Sequence, residues 1–133
     1  AYDDDMDMNQ SIAVIMCDLN GLKKINDSLG HPAGDKYICD AAEILVSCFD
    51  DQNVYRVGGD EFIIVLQGIT KADLTIRTDR LQLYADLKKI SLSFGVSYRT
   101  NSKEHFETLL READKKMYVQ KKHYYENLSL SRE

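Results

Sequence analysis

The sequence lacks several features that would assign it to a specialised class of protein. No apolar run reaches the roughly 18 residues needed to cross a membrane, so no direct membrane contact is expected. The three cysteines, an odd number without the paired spacing of a zinc site, indicate neither a disulfide framework nor a zinc cluster. A reducing compartment, the cytoplasm, is therefore the expected location. The cysteines are Cys17, Cys39 and Cys48.

Basic residues are in deficit. The chain has 17 Lys and Arg against 22 Asp and Glu, for a net charge of -5. Binding to a nucleic-acid polymer depends mostly on lysines and arginines that neutralise phosphates, so such a partner is not expected. Single nucleotides remain possible ligands, because clustered carboxylates can recruit a divalent cation that binds phosphate.

Length and composition favour one globular domain. With 133 residues, 44% hydrophobic and 29% charged, the chain is long enough to bury a core without a disulfide. It has no internal repeat, low-complexity tract or linker, so we assign 1–133 to a single domain with 1–11 and 124–133 peripheral. The first ten residues contain four aspartates and no basic region, which is unlike a signal peptide. The absence of an initiator methionine suggests an excised fragment.

Hydrophobic periodicity predicts eight elements in the order β-α-α-β-β-α-β-α. They are a buried strand at 12–17, helices at 22–29 and from after Gly34 to near Asp50, strands at 53–57 and 62–66, a helix at 70–89, a strand at 90–98 and a helix at 104–122. Gly58 and Gly59 are predicted to form a two-residue hairpin turn, and Gly95 a β-bulge. This order indicates the α/β (α+β) class, with a mixed, mainly antiparallel central sheet and flanking helices.

Three acidic residues follow or join predicted strands. Asp18 lies at the end of the first strand, and Asp60 and Glu61 lie at the hairpin tip. If these strands are neighbours, the carboxylates converge and repel one another unless a cation neutralises them, and hard oxygen ligands favour magnesium or manganese. The alternative is that Asp18 caps the following helix and Asp60 only suits a turn.

Five separated motifs in one order carry a specific resemblance. They are DLNGLKKIND at 18–27, GHPAGD at 30–35, RVGGDEF at 56–62, SFGV at 93–96 and ADKKMYVQK at 113–121. Together they resemble the GGDEF domain of bacterial diguanylate cyclases over about residues 12–122. The resemblance implies a fold like that of nucleotidyl cyclases and polymerase palm domains.

The resemblance also implies roles for individual residues. The implied ligands of Mg²⁺ or Mn²⁺ are Asp18, the carbonyl of Leu19, Asp60 and Glu61, with Asp60 and Glu61 also catalytic. The implied substrate-binding residues are Asn26 and Asp35 at guanine, His31 in the same segment, Lys23 and Lys121 near the triphosphate, and Gly58 and Gly59 where the backbone approaches the nucleotide. For His31 a local structural contact, and for the lysines of the last helix a solvated face, are the alternatives.

The implied activity is the condensation of two GTP into cyclic di-GMP, with release of two pyrophosphates, at the interface of a homodimer. Any membrane association would then be supplied by upstream domains. Two departures from the family pattern bear on this activity: Asn20 stands where an aspartate is common, and Tyr124-Tyr125-Glu126 replaces a Gly-Arg-Asn segment. Loss of that arginine keeps a second function open, a catalytically weak or inactive GTP-binding module that regulates a fused domain.

Overall fold

The first strand lies inside a four-stranded sheet whose order is β2-β3-β1-β4. The structure, a computed structural model, describes residues 9–131. The strands are β1 (Ile12–Leu19), β2 (Val54–Arg56), β3 (Glu61–Gln67) and β4 (Leu92–Arg99). Every residue of β1 is buried, as its continuous apolar run predicts.

Among residues 9–131, four helices accompany this sheet. They are α1 (Leu22–Leu29), α2 (His31–Phe49), α3 (Lys71–Lys88) and α4 (Phe106–Ser131), with a short 3-10 turn at Asp51–Asn53. Helices α2 and α3 lie on one face of the sheet, α4 lies on the other, and α1 packs against α2. Because successive strand residues point to opposite faces, alternate residues of β1 enter two cores. Ile15 and Cys17 pack with α2 and α3, whereas Val14 and Met16 pack with α4.

The predicted fold class, element order and mainly antiparallel pairing are confirmed, but the sheet is antiparallel rather than mixed among the described strands. The strands β1 and β2 are joined by the α1–α2 crossover and run parallel, but they do not pair because β3 lies between them. The three pairings among the described strands, β1–β3, β1–β4 and β2–β3, are all antiparallel. Within the described residues, no helix combines the length and apolar character needed to cross a membrane.

Gly95 does not form the predicted bulge. It pairs with Met16 in an uninterrupted register between β1 and β4. A Cβ built at this position would lie 2.1 Å from the carbonyl oxygen of Ala113 and 2.4 Å from the backbone nitrogen of Met117. The glycine is therefore required because α4 crosses β4 in backbone contact.

The hairpin turn is longer than predicted. The backbone N–H of Val57 donates to the carbonyl of Glu61 at 3.0 Å, so residues 58–60 connect the strands rather than two glycines alone. Arg56 closes this loop, donating to the carbonyls of Gly58 at 3.1 Å and Gly59 at 2.8 Å. Neither glycine has a positive φ, so a primed two-residue turn was the wrong expectation.

Two helix boundaries also differ from prediction. Helix α2 begins at His31 and includes Pro32 in its first turn, where the missing N–H costs no helical hydrogen bond. Helix α4 continues to Ser131 instead of ending at Lys122. Residues 124–131 are therefore a helical extension. Of the N-terminal segment assigned as peripheral, residues 1–8 lie outside the described part of the chain.

Candidate active site

The end of β1 and the tip of the β2–β3 hairpin bring three carboxylates together. Asp18 pairs with Glu61 across the sheet, and the backbone N–H of Leu19 donates to the carbonyl of Asp60 at 2.9 Å. One carboxylate oxygen from each of Asp18, Asp60 and Glu61 lies within 4.8 Å of the others. Gly21 precedes α1 without any side-chain cap, so the alternative in which Asp18 caps this helix is wrong.

Lys121 of α4 reaches the same cluster. Its Nζ lies 2.7 Å from Oδ2 of Asp18, and its side chain is only 24% exposed. The solvated-face alternative is therefore wrong for this lysine. Two further contacts hold α4 beside the site: the N–H of Phe94 donates to Oε1 of Gln120 at 3.0 Å, and Lys116 donates to the carbonyl of Val96 at 3.0 Å.

Asp18 is the most buried member of the cluster, with 6% exposure. Burial raises the pKa of its carboxyl above the ordinary value, while Lys121 lowers this pKa and the nearby Asp60 raises it further. Its Oδ1 is buried and has no hydrogen-bond partner among the described residues. A buried carboxylate oxygen without a partner is costly unless a cation or donor approaches it.

These observations fit a hard divalent cation. Clustered carboxylate oxygens are the donors that Mg²⁺ and Mn²⁺ prefer, and the Oδ1 of Asp18 is available in the cluster. The cluster alone does not distinguish Mg²⁺ from Mn²⁺. The clustered carboxylates therefore fit the divalent cation that the sequence predicts at this site.

A hydrogen-bond network behind the cluster was missed by the sequence analysis. Asn20 is 2% exposed; it donates to Oγ of Ser91 at 3.1 Å and accepts from Oγ of Ser93 at 3.0 Å. The hydroxyl of Tyr37 donates to the carbonyl of Asn20 at 3.0 Å and accepts from the N–H of Ser91 at 2.9 Å. Asn20 thus joins the end of β1 to the segment that leads into β4. The available signal was an amide that directly follows a buried apolar strand.

The residues predicted at guanine lie on the α1–α2 pair. The side chain of Asn26 lies against Gly34, where a Cβ would be 1.7 Å from its Oδ1, and this oxygen is buried without a partner among the described residues. His31 and Asp35 are exposed and lie one turn apart at the start of α2. A side chain at position 34 would therefore displace the Asn26 amide, so Gly34 leaves room for the observed position of this amide.

An open cleft of about 500 Å³ lies between α1 and the C-terminal part of α4. Lys23 and the two tyrosines Tyr124 and Tyr125 line it. A Cβ at Gly21, whose φ is +76°, would lie 3.3 Å from the hydroxyl oxygen of Tyr124. Tyr125, in the position of the family arginine, is 46% exposed and makes an edge contact with the Tyr124 ring at a centroid distance of 5.0 Å.

An antiparallel sheet flanked by helices, with an acidic cluster at the end of its inner strands, matches the palm-like cyclase fold of the solved GGDEF domains that the chain resembles. The sequence profile described as "Diguanylate cyclase, GGDEF domain" matches residues 1–127, and the chain belongs to this family.

Two relatives and one solved structure illustrate the similarity. Diguanylate cyclase A of Treponema denticola is 29% identical over 92% of this chain, and cyclic di-GMP phosphodiesterase PdeR of Escherichia coli is 28% identical over 85%. The matches span 36% and 18% of those proteins, respectively. The structure of the active GGEEF domain of a diguanylate cyclase from Vibrio cholerae aligns with a TM-score of 0.71 and 29% identity. The alignment covers 86% of this chain and 78% of the Vibrio cholerae chain.

Proposed function

We propose that this chain is a metal-dependent diguanylate cyclase that condenses two GTP molecules into cyclic di-GMP. The observation that carries the proposal is the convergence of Asp18, Asp60 and Glu61 within 4.8 Å, in a chain that retains the complete Gly-Gly-Asp-Glu-Phe segment. The name of the similar Treponema denticola protein supports the same activity.

Asp18, Asp60, Glu61 and the carbonyl of Leu19 are the residues proposed to hold Mg²⁺ or Mn²⁺. A bound divalent ion would supply positive charge to the phosphates and the leaving pyrophosphate. The hairpin carboxylates, Asp60 or Glu61, accept the proton of the ribose 3′-hydroxyl. This oxygen forms a bond to the α-phosphorus of the second GTP as the bond to pyrophosphate breaks. The 3′-hydroxyl of the second GTP then attacks the α-phosphorus of the first, which closes the ring and releases the second pyrophosphate.

Other residues are assigned to binding. Lys121 and Lys23 supply positive charge to the triphosphate, and Asn26 and Asp35 hydrogen-bond the guanine edge, with His31 in the same segment. The loop glycines Gly58 and Gly59 let the nucleotide approach the backbone, and a Cβ at Gly59 would meet no protein atom within 4 Å.

A homodimer is part of the proposal because each reacting hydroxyl and its target phosphorus belong to different GTP molecules. With one GTP bound to each chain, a twofold arrangement aligns both pairs of reacting atoms. The rate per chain is therefore expected to rise with protein concentration until the dimer is fully formed.

The direct test is incubation of the protein with GTP and Mg²⁺ over a range of protein concentrations, with product identification by mass spectrometry. The substitution Asp60→Asn is expected to abolish cyclisation and leave thermal stability nearly unchanged, because it removes a charged ligand or base at a loop and creates no cavity. Asp79→Asn, at an exposed position on α3, is the matched control and is expected to retain full activity. Normal activity in Asp60→Asn, or pyrophosphate without cyclic product in the wild type, would contradict the proposal.

One observation favours a second function, a GTP-binding module with weak or no catalysis that regulates a fused domain. Tyr125 stands where family members carry a phosphate-binding arginine, so binding of the triphosphate depends on Lys121, Lys23 and the metal. GTP binding by calorimetry without any cyclic product, at protein concentrations that give a dimer, would support this function instead.

A further inference from the structure

We propose that the Lys121 ammonium competes with the divalent metal for Asp18, so that metal binding displaces Lys121 and frees it for the triphosphate. This inference rests on the proposed metal-dependent function and adds a regulatory step to it. Lys121 then has two binding partners in turn. It pairs with Asp18 before the metal binds, and it binds the triphosphate afterwards.

The first argument is the position of the ammonium. Its Nζ lies 2.7 Å from Oδ2 of Asp18, within direct hydrogen-bond distance. The Asp18 side chain is 9% exposed, so little of it is open to solvent while the ammonium is in place. An ammonium at this oxygen and a metal ion coordinated by the same oxygen exclude each other.

The second argument is charge balance. Among residues 9–131, Lys121 is the one cationic side chain that makes an ion pair with any of the three clustered carboxylates, and its partner is Asp18. It neutralises part of their charge when no metal is bound. A divalent cation must either displace this ammonium or tolerate its repulsion at short range, and both effects weaken metal binding.

The third argument is that the cluster is incompletely satisfied by Lys121. Oδ1 of Asp18 remains buried and without a partner while Oδ2 is occupied. One ammonium therefore leaves half of this carboxylate unsatisfied, whereas a divalent ion that replaced the ammonium could be coordinated by both oxygens of Asp18. The side chain of a lysine is long and flexible enough to move away without any displacement of α4.

The substitution Lys121→Met tests the proposal, with Mn²⁺ alone as the probe and no nucleotide present. Electron paramagnetic resonance of free Mn²⁺ measures the dissociation constant for each protein. We expect Lys121→Met to bind Mn²⁺ about tenfold more tightly than wild type, because the competing cation is gone. Lys122→Met, which makes the same charge change at an exposed neighbouring position, is the matched control and is expected to bind like wild type. Equal or weaker Mn²⁺ binding by Lys121→Met than by Lys122→Met would overturn the proposal.

A second measurement uses the unmodified chain and does not depend on the folding of a variant. Acetylation of lysines by a limiting amount of N-hydroxysuccinimide acetate, read by mass spectrometry, is expected to be slow at Lys121 without metal and several-fold faster at saturating Mn²⁺. Lys122 is expected to react at one rate in both conditions. Unchanged labelling of Lys121 would overturn the displacement step.

The outcome is separable from that of the proposed function. With a non-hydrolysable GTP analogue and Mg²⁺, Lys121→Met is expected to bind the nucleotide more weakly than wild type, opposite in sign to its effect on Mn²⁺ alone. If the wild type forms no cyclic di-GMP but the Mn²⁺ and labelling results hold, the proposed catalysis fails and the competition stands. If cyclisation proceeds but Lys121→Met leaves Mn²⁺ binding unchanged, only the competition fails.

Discussion

The contact between Gly95 on β4 and the backbone of α4 gives a quantitative prediction for stability. A Cβ at this position would lie 2.1 Å from the Ala113 carbonyl oxygen and 2.4 Å from the Met117 nitrogen. Both neighbours are backbone atoms, so a side-chain rotation cannot relieve the overlap. To restore ordinary van der Waals separation, α4 would have to move by more than about 1 Å.

Such a displacement affects a tightly packed face of the sheet. Leu109 and Ala113 of α4 are fully buried against Val14 and Met16 of β1. Overpacking of a core costs about 1–3 kcal/mol, and we expect Gly95→Ala to lie at the upper end because the clash is with backbone. For a domain of this size, a loss of about 3 kcal/mol corresponds to a fall in Tm of about 10 °C.

Urea and thermal denaturation followed by circular dichroism provide the assay, with the m-value expected to stay unchanged. Gly59→Ala is the matched control, since a Cβ there meets no atom within 4 Å, and its free energy of unfolding should change by less than about 0.5 kcal/mol. If Gly95→Ala unfolds within this same margin of the wild type, the inferred backbone contact between β4 and α4 is refuted.

Three further predictions concern other parts of the structure. Tyr37→Phe leaves the partly buried N–H of Ser91 without its acceptor and should destabilise the fold by about 1 kcal/mol in urea denaturation; wild-type stability would contradict the network. Cys39 alone should react with a maleimide in the native protein, because it is exposed whereas burial raises the pKa of Cys17 to about 12; modification of a second thiol before unfolding would contradict this. The wild type is expected to prefer GTP over ATP tenfold or more, because the Asp35 carboxylate accepts hydrogen bonds from guanine donors that adenine lacks. Asp35→Ser should reduce this preference, which is measured by competition between the two nucleotides. Unchanged selectivity would show that Asp35 does not recognise the base.

The strands near the site were predictable because their signals are local. The continuous apolar run that becomes β1 indicated a strand buried on both faces and placed Asp18 at its end. The hairpin segment likewise placed Asp60 and Glu61 together. The convergence of these three carboxylates was conditional on the two strands being neighbours, which the β1–β3 pairing satisfies.

The turn and helix boundaries were less predictable because they depend on contacts outside the local pattern. Two adjacent glycines suggested a two-residue turn, yet the side chain of Arg56 holds a three-residue loop at 58–60 through the carbonyls of both glycines. The apolar periodicity of α4 weakens after Lys122. The helix nevertheless continues to Ser131, with Tyr124 lying against Gly21.

The sequence by itself determined the fold class, the order of the elements and the identity of the acidic residues, since each follows from periodicity or from a contiguous motif. Only the tertiary structure decided which side chains from distant segments meet. Asn20 and Ser93 are 73 positions apart and hydrogen-bonded, and Lys121 reaches Asp18 only because Gly95 lets α4 lie directly on β4. The physical reason is that such contacts depend on strand register and on how closely a helix can cross the sheet, and neither quantity is contained in a local pattern of residues.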